Sequence, residues 1–584
     1  MRQVIITLLV TPLTIINAQT PQMGNGWPFI TVNNDWNTLS VPHFETISNI
    51  PNSALYYCSQ NRKIEKIHFN GLSFNGWPFL FDTLSYDRSP IVVDFDHDGE
   101  SELITLGTKF SEDGSDQLYA SLLAIDNNGL IMPGFPIIFQ EVSHPNVADI
   151  DGDNEYEILL FSKDTWEIYC IDHLGNSKPG WPIEMPTDMR YSFAGAIADL
   201  DLDGMLEYIV SGYHGIYAYR FDGTTQPGYP FFAPDSFNFY NGGWPPTIAD
   251  IDHDSYPEIL TSCDNWYDFE HDYWSQIIVY EHDGTIKNGW PVVIPERCWI
   301  NSAPIPSDIN SDGEIEIEYC WGLYMTYVDM NGVPLPGWPA ILQSGNAPGF
   351  PPNADVITVD INGDGYCEIF MDHNVLYPDS VGHDSITYYG YGLLYGLNYH
   401  GEILLGYPMP TFGVFFRMPP VFSRAPENHR LYMSMSSEIN LEPIYPIDTT
   451  FVALYVFPDS TGPTNQWPML SHDNLMTRNY NFIDRVTSID DGDNVILPKS
   501  PTLAQNYPNP FNQSTLIEFT LPQQQQLALT IFDILGRKLF EIYNQEMSSG
   551  IHRVRLDRNL PSGLYFYALE TSNTRIVRKM TVLK

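Results

Sequence analysis

Short hydrophobic segments alternate with tight polar turns along most of the sequence. Typical segments are Glu157-Ile-Leu-Leu and Gln276-Ile-Ile-Val-Tyr280, and many hairpins end at pairs such as Asn331-Gly332. Asn-Gly and Asp-Gly pairs supply the positive φ angles that tight hairpin turns need. The pattern predicts an all-β protein made of hairpins, and it argues against a helical bundle or a coiled coil.

An acidic phrase of nine residues recurs six times, at intervals of 50 to 58 residues. The first copy runs from Asp94 to Glu102; we number its positions 1 to 9 and the copies sites 1 to 6. The other copies span residues 149–157, 199–207, 250–258, 308–316 and 360–368. Such a steady period indicates a repeat architecture.

A second phrase, Gly-aromatic-Pro, marks the end of each repeat unit. It runs from Gly76-Trp77-Pro78 to a degenerate last copy, Gln466-Trp467-Pro468, and gives eight unit ends. Each unit offers about four short strands, which is the content of one propeller blade, so a β-propeller is favoured over a β-solenoid. Eight blades are favoured, and seven remain open.

The first unit, near residues 41–78, and the last, near 412–468, lack the acidic phrase. Because a ring must join its last blade to its first, we expect strands near 25–80 and 412–480 to touch.

The acidic phrase has the composition of an oxygen cage for a hard cation, and its size and flexibility favour Ca²⁺ over Mg²⁺. Position 6 needs a sharp turn, which Gly99 provides in site 1, and position 2 is apolar in every copy and can anchor the loop to the core. The spacing differs from that of an EF-hand. We expect side-chain ligands from positions 1, 3, 5 and 9 and a carbonyl ligand from position 7. The residues at these positions are Asp94, Asp96, Asp98, Glu100 and Glu102; Asp149, Asp151, Asp153, Glu155 and Glu157; Asp199, Asp201, Asp203, Met205 and Glu207; Asp250, Asp252, Asp254, Tyr256 and Glu258; Asp308, Asn310, Asp312, Glu314 and Glu316; and Asp360, Asn362, Asp364, Tyr366 and Glu368.

Charge supports this interpretation. The 584 residues carry a formal net charge of −45, although only 17% are charged. Such an acidic excess argues against nucleic acid and anionic membranes as partners. Without a cation, the carboxylates within one phrase would repel one another. The six cysteines are too few for a disulfide scaffold and are expected mainly as single buried residues, and a pairing of Cys298 with Cys320 stays open.

The acidic phrases and their flanking strands resemble the FG-GAP/VCBS repeats of integrin-α-type β-propellers, over about residues 25–480. The resemblance implies that Asp94, Asp96, Asp98, Glu102 and their counterparts bind up to six calcium ions within the blades. The family includes adhesion modules, lectins and some polysaccharide lyases, so the fold does not settle the function.

The composition changes after residue 484. Residues 484–500 are predicted to be a linker, and residues 501–584 a small Ig-like β-sandwich. Phrases such as Asn506-Tyr-Pro-Asn-Pro-Phe-Asn512, Leu560-Pro-Ser-Gly-Leu-Tyr-Phe566 and Arg578-Lys-Met580 closely resemble the type A C-terminal sorting domain of type IX secretion. The resemblance implies that the type IX machinery is a partner, and that the protein is secreted or displayed on the outer-membrane surface of a Gram-negative bacterium.

At the other end, residues 1–18 have the pattern of a signal peptide, and no later segment is long and apolar enough to span a membrane. No nucleophile elbow, P-loop or zinc-protease motif is visible, so no catalytic or organic-cofactor residue is identified. A binding or adhesion module for a glycan or protein is therefore favoured over an enzyme. A calcium-dependent, lyase-like polysaccharide-degrading enzyme on the same scaffold is the alternative.

Overall fold

The computed structural model describes most of residues 54–457 and 501–582, together with three short strands before residue 45. The predicted signal peptide (1–18) and linker (484–500) lie outside the described residues. The chain divides into two compact units, Met1–Val486 and Thr487–Lys584. All regular elements among the described residues are β-strands, as the hairpin pattern predicts, and they include no helix able to cross a bilayer.

The strands of the first unit are short and follow one another closely. In chain order they are β1 (Gln22–Met23), β2 (Phe29–Asn33), β3 (His43–Phe44), β4 (Ala54–Ser59), β5 (Lys63–His68), β6 (Ile91–Val93), β7 (Glu102–Phe110), β8 (Gln117–Ile125), β9 (Ile137–Phe139), β10 (Asn146–Ala148), β11 (Glu157–Ser162), β12 (Glu167–Ile171), β13 (Ile183–Glu184), β14 (Ala196–Ala198), β15 (Glu207–Ser211), β16 (Gly215–Tyr219), β17 (Phe231–Phe232), β18 (Thr247–Ala249), β19 (Glu258–Asn265), β20 (Trp274–Tyr280), β21 (Val292–Val293), β22 (Ile305–Ser307), β23 (Glu316–Trp321), β24 (Tyr324–Val328), β25 (Ala340–Ile341), β26 (Ile357–Val359), β27 (Glu368–Asp379), β28 (Thr387–Leu397), β29 (Met409–Pro410), β30 (Val421–Arg424), β31 (Leu431–Ile439) and β32 (Asp448–Phe457).

These strands form eight antiparallel sheets in the described part of the unit. Six sheets have four strands in chain order: β6–β9, β10–β13, β14–β17, β18–β21, β22–β25 and β26–β29. A three-stranded sheet, β3–β5, precedes them, and β30–β32 follow. Each four-stranded sheet corresponds to one repeat that carries the acidic phrase.

The last sheet of the unit is completed by the beginning of the chain. Strand β2 pairs with β32, with Phe29 opposite Val452 and Asn33 opposite Asp448, and β1 pairs with the same strand. The two ends of the repeat array therefore touch, as the ring hypothesis requires.

Apolar side chains fill the space between consecutive sheets. Ile104 and Leu122 of one sheet share a buried cluster with Val147 and Ile158 of the next. The first strands of neighbouring sheets also lie against one another, as β10 does with β14 and β14 with β18. The core is thus a series of layers between sheets, and Cys170, Cys263, Cys320 and Cys367 are buried as free thiols.

The Gly-aromatic-Pro phrase ties each sheet to its successor. Trp181 is buried, and its Nε1 donates a hydrogen bond to the carbonyl of Phe221 in the following repeat, at 2.9 Å. Trp290 makes the equivalent bond to Met330 at 2.9 Å, and Trp338 to Tyr399 at 3.0 Å. The phrase that marks the end of each repeat in the sequence therefore makes a contact with the following repeat.

The second unit contains two antiparallel sheets of its own, ordered β33-β34-β37 and β36-β35-β38-β39. Its core includes Ile517, Leu529, Tyr567 and Met580. The strands are β33 (Thr502–Leu503), β34 (Thr515–Leu521), β35 (Gln525–Asp533), β36 (Lys538–Met547), β37 (Gly550–Leu556), β38 (Gly563–Thr571) and β39 (Arg575–Val582).

Candidate metal sites

All six acidic phrases occupy the same place in their sheets, the connection between the first and second strands. In site 1, Asp94 directly follows β6 and Glu102 is the first residue of β7. Position 9 opens the second strand in every copy, since β11, β15, β19, β23 and β27 also begin with this glutamate. The second strand therefore fixes the backbone of the residue that closes each loop.

The glutamate at position 9 is buried in every copy and bonds back across the loop. In site 1, Oε2 of Glu102 accepts the backbone N–H of Phe95 at 2.7 Å. The same bond to position 2 occurs in the other five sites at 2.7 to 3.1 Å. Position 2 is buried in all copies, as its apolar character predicts. One carboxylate oxygen is thus held by the backbone and the other remains to face the loop.

Backbone N–H groups also orient the aspartates. Oδ2 of Asp94 accepts the N–H of Gly99 at 3.1 Å, and Oδ1 of Asp98 accepts the N–H of Glu100 at 2.8 Å. Position 6 has a positive φ in all six copies, including Asn154 (72°) and Ser255 (82°), as the predicted sharp turn requires. Position 4 is also left-handed in the five copies where the structure describes it, for example His97 at 58°. The sequence analysis did not predict that second left-handed residue, because non-glycine side chains occupy it in most copies.

Three of the four predicted side-chain ligands converge in each of the first four sites; position 5 is left out in sites 1 and 2, and position 9 in sites 3 and 4. Within each cluster, one oxygen from every carboxylate lies within 4.8 Å of one oxygen from each of the others. The clusters are Asp94, Asp96 and Glu102; Asp149, Asp151 and Glu157; Asp199, Asp201 and Asp203; and Asp250, Asp252 and Asp254.

Sites 5 and 6 have an asparagine at position 3. Nδ2 of Asn310 donates to Oε1 of Glu316 at 2.7 Å, and Nδ2 of Asn362 donates to Oε1 of Glu368 at 2.8 Å. Each amide oxygen accepts the N–H of position 5, from Asp312 at 2.9 Å and from Asp364 at 2.8 Å, and its second lone pair can still serve a cation. The side chains at position 7 are engaged elsewhere: Tyr256 stacks on His282, Tyr366 stacks on Tyr399, and Glu100 accepts a hydrogen bond from Asn127. Such a position can still offer its carbonyl, which is the ligand that the sequence predicts.

Without a cation, little offsets the cost of burying the charged form of the position-9 glutamates. Burial raises the pKa of Glu102 to about 8, although the hydrogen bond from Phe95 opposes the shift, and the neighbouring aspartates raise it further. Burial likewise raises the pKa of the position-9 glutamate to about 8 in the other five sites, although a lysine opposes the shift of Glu157 and of Glu258. Glu207 is fully buried, and its Oε1 has no hydrogen-bond partner. A cation bound among these oxygens would supply the missing interaction, and the all-oxygen donor set is the type that Ca²⁺ prefers.

Sites 2 and 4 differ, because a lysine ammonium lies among their carboxylates. In site 2, Nζ of Lys178 lies 2.8 Å from Asp151, 3.0 Å from Asp153 and 2.9 Å from Glu157. Burial opposes the charge of Lys178, but the hydrogen bonds to these three carboxylates outweigh burial and raise its pKa above the ordinary value. This group is therefore a fixed positive charge.

Lys287 has the same role in site 4. Its Nζ lies 2.6 Å from Asp252, 3.3 Å from Glu258 and 3.1 Å from Glu281. Burial is again outweighed by hydrogen bonds to carboxylates, which raise the pKa of Lys287 above its ordinary value. The third partner, Glu281, lies outside the nine-residue phrase and was not among the predicted ligands.

Site 3 holds a glutamine and an arginine. Nε2 of Gln226 donates to Oδ2 of Asp201 at 2.8 Å, and Arg220 forms an ion pair with Asp203. Lys178, Gln226 and Lys287 share one sequence position, two residues before the glycine of Gly-aromatic-Pro. Aligning the repeats on that phrase would have identified this position, which carries Met132, Leu335 and Leu404 in sites 1, 5 and 6.

Family comparisons match two parts of the chain. Residues 199–261 match the FG-GAP-like repeat, and residues 505–583 match the secretion system C-terminal sorting domain. The first match contains sites 3 and 4, and the second covers most of the second unit. The protein therefore carries an FG-GAP-like repeat and a type IX sorting domain, and it is secreted or attached to the outer-membrane surface of a Gram-negative bacterium.

Similarity to other proteins is otherwise remote. No curated protein sequence matches the chain. Among solved structures, the exotype rhamnogalacturonan lyase YesX is 11% identical, with a TM-score of 0.39 over 74% of each chain. BBS1N, solved in complex with ARL6DN, is 10% identical, with a TM-score of 0.30 over 65% of this chain and 96% of that one.

Proposed function

We propose that the protein is a calcium-stabilised, eight-bladed β-propeller that presents a binding or adhesion surface outside the cell. On this proposal, an Ig-like domain within the second unit (501–584) delivers it to the type IX secretion machinery. The observation that carries the proposal is the repeated loop in which backbone hydrogen bonds hold aspartates and one buried glutamate, with three carboxylates brought together in each of the first four sites.

Calcium is the cation that these loops suit best. The donors are carboxylate, amide and carbonyl oxygens, and no cysteine or histidine belongs to the clusters found among the described residues. Oxygen-only sites favour Ca²⁺ or Mg²⁺, and a flexible loop with several protein ligands favours Ca²⁺, because Mg²⁺ demands a compact octahedron and retains its waters. Calcium would supply structural cross-linking here, by holding the start of the second strand against the end of the first.

The sheet arrangement supports eight blades. Eight sheets follow one another among the described residues of the first unit, and the first strands of several neighbouring sheets are in contact. The pairing of β2 with β32 would close the ring by adding N-terminal strands to the last blade. Two sheets of three and four strands in the second unit support an Ig-like sandwich.

A ligand-binding face is expected at the ends of the sheets opposite the acidic loops. Because the strands are antiparallel, the connection from the second to the third strand lies at that opposite end, as does the connection to the next sheet. Trp166, which precedes β12 at that end, is 36% exposed. Exposed aromatic side chains are the usual anchors for sugar rings and for protein partners.

Binding of the purified full-length protein to glycan, polysaccharide and protein arrays, in calcium and in EDTA, tests this proposal. We expect a ligand whose binding is lost or strongly weakened in EDTA. Trp166→Ala should weaken binding, whereas Leu174→Ala is the control, because Leu174 is an exposed apolar residue of the same sheet in the turn after β12, at the end that carries the acidic loops.

Calcium should also raise the melting temperature, because an ion that binds only the folded state stabilises it by about 2.7 kcal/mol per site at a hundred times Kd. An equal melting temperature in EDTA and in millimolar calcium, with no calcium in the purified protein, would reject the calcium part of the proposal. Cleavage of a polysaccharide to unsaturated products would replace the binding function with the lyase alternative.

A further inference from the structure

We propose that Lys178 and Lys287 are built-in cations that take the place of calcium, so that the protein binds calcium at sites 1, 3, 5 and 6 but not at sites 2 and 4. This inference rests on the proposed calcium-binding function, and it lowers the expected number of ions from up to six to four.

The geometry of the ammonium groups is the first argument. An ammonium has three N–H donors, and each lysine directs them at three carboxylates, at distances of 2.6 to 3.3 Å. In each site these include the buried glutamate at position 9. A calcium ion that uses the predicted ligands at positions 3 and 9 would need these same carboxylates at about 2.3–2.6 Å. The ion and the ammonium therefore cannot occupy the site together.

Displacing either lysine is unfavourable. The side chains of Lys178 and Lys287 are only 14% and 8% exposed, so the ammonium would have to leave a largely buried position. It is also tethered beside the site, which gives it a high effective concentration against a free ion. Extracellular calcium sites often have Kd values of about 10⁻⁴–10⁻³ M, which is modest competition for a tethered charge.

Other repeats provide an internal control for the backbone. The residue two before the glycine of Gly-aromatic-Pro donates its N–H to the third strand of its sheet in every case: Lys178 to Cys170 at 2.9 Å, Lys287 to Val279 at 2.9 Å, and Met132 to Ala124 at 2.9 Å. Since the backbone is held alike at this position, its side chain starts from the same place beside the loop in each site. At this position sites 1, 5 and 6 carry Met132, Leu335 and Leu404, which have no charge to offer.

Site 3 has no such lysine at this position and is assigned to the calcium-binding sites. Gln226 is neutral, and its Oε1 is buried without a hydrogen-bond partner. With a calcium ion bound at Asp201, a half-turn of the amide would direct this oxygen at the ion in place of the hydrogen bond that Nε2 now donates. Oε1 of Glu207 is likewise buried without a partner. Arg220 is 28% exposed and contacts Asp203 and Asp201, but it does not contact the buried glutamate in the way that both lysines do.

Counting bound calcium in full-length variants tests the proposal. Equilibrium dialysis followed by elemental analysis should find four ions in the natural protein. Lys178→Met, which installs the residue of site 1, should bind one more ion, and Lys287→Leu should also bind one more. The reciprocal Met132→Lys should bind one ion fewer than the natural protein. Lys178→Gln, which copies site 3, is a milder variant should Lys178→Met fail to fold.

Melting temperatures provide a second readout that a purely structural lysine would not give. In EDTA, Lys178→Met should melt below the natural protein, because three carboxylates lose their counter-ion. Added calcium should raise the melting temperature of Lys178→Met more than it raises that of the natural protein. If the lysine served only packing, calcium would not restore the variant.

The possible counts separate this inference from the function on which it rests. Six ions in the natural protein would show that calcium expels both lysines, and would overturn the inference while leaving the calcium-stabilised propeller intact. No bound calcium in any variant would overturn both. Four ions in the natural protein and in both lysine variants would show that the lysines do not control occupancy.

Discussion

At the scale of single residues, the buried glutamate at position 9 is the centre of each loop. Glu102 anchors the loop with one oxygen through the N–H of Phe95, and its carboxylate also belongs to the cluster with Asp94 and Asp96. Burial raises its pKa to about 8, which reflects how poorly the protein alone solvates this charge. The same residue therefore destabilises the fold of the metal-free protein and stabilises that of the metal-bound protein.

Glu102→Gln should stabilise the metal-free protein at site 1 and weaken calcium binding there. The amide oxygen can still accept the Phe95 N–H, but the charge that attracts the ion is gone. We expect one calcium fewer per chain and a lower melting temperature in calcium, with a loss of about 2.7 kcal/mol at a hundred times Kd. In EDTA at alkaline pH the variant should be at least as stable as the natural protein. Glu100→Gln is the control, because position 7 offers its carbonyl; calorimetric titration that finds equal losses for both variants would contradict this assignment.

The raised pKa values of these glutamates also predict a pH dependence. In the metal-free protein, Glu102, Glu207, Glu316 and Glu368 hold protons up to about pH 8, whereas the unfolded chain releases them near 4.5. Their contribution to stability is complete below 4.5 and is lost as the pH rises through about 8.

In EDTA, the melting temperature should therefore fall as the pH rises across this interval. Calcium affinity should rise over the same interval, because the ion must displace protons. Calorimetry in buffers of different ionisation enthalpy measures the protons released. Release of no protons when calcium binds on the acidic side of pH 8 would contradict the assignment.

At the scale of elements, contacts between consecutive repeats depend on the Gly-aromatic-Pro phrase. The backbone of Gly180 has a φ of 93°, and a Cβ at this residue would overlap the carbonyl oxygen of Asp222 in the next repeat. Gly228 has nearly the same φ, 94°, yet nothing lies within 4 Å of an added Cβ. Two glycines of one motif thus share a backbone conformation but differ in how closely the next sheet approaches.

Gly228→Ala and Gly180→Ala should separate conformational strain from the contact between repeats. Gly228→Ala should cost about 1–2 kcal/mol, the usual cost of a left-handed conformation for a residue with a Cβ. Gly180→Ala should cost more, because its methyl group must also push the next repeat away and weaken the Trp181–Phe221 hydrogen bond. Chemical unfolding in saturating calcium measures the free energy of unfolding of both variants. Equal losses of this free energy would show that the next repeat can move away from residue 180 at no cost.

At the scale of the whole first unit, the chain ends of the repeat array are joined through one sheet. Strand β32 has β31 on one side and β1 and β2 on the other, so N-terminal residues cover what would otherwise be an open edge. The acidic loops all lie at one end of their sheets, which concentrates much of the net charge of −45 there. Cations, whether lysines or ions, then reduce the repulsion at this end.

Removing residues 19–33 should open this junction. We expect a lower melting temperature and self-association, since an uncovered strand edge is a template for pairing with another chain. Removing residues 501–584 is the control, because those residues belong to a separate compact unit and should leave the melting of the first unit unchanged. Calorimetry with light scattering measures both effects, and an unaltered, monomeric protein without residues 19–33 would exclude ring closure through β2.

The sequence by itself determined the all-β class, the acidic repeats and the sorting domain, and it identified the loops in which carboxylates converge. It could do so because these features depend on residues close together in the chain: the nine positions of an acidic loop fold on one another whatever surrounds them. The left-handed residue at position 4 was missed, since His97 and Leu202 carry no sequence signal for that conformation.

Only the tertiary structure decided how the loops differ. Lys178 reaches Glu157 across 21 residues of sequence, and Lys287 reaches Glu258 across 29, because the turn after the third strand and the acidic loop lie at the same end of one sheet. The pairing of β2 with β32 likewise joins segments more than 400 residues apart. Local pattern fixes which groups a loop contains, whereas the packing of strands fixes which charges it meets.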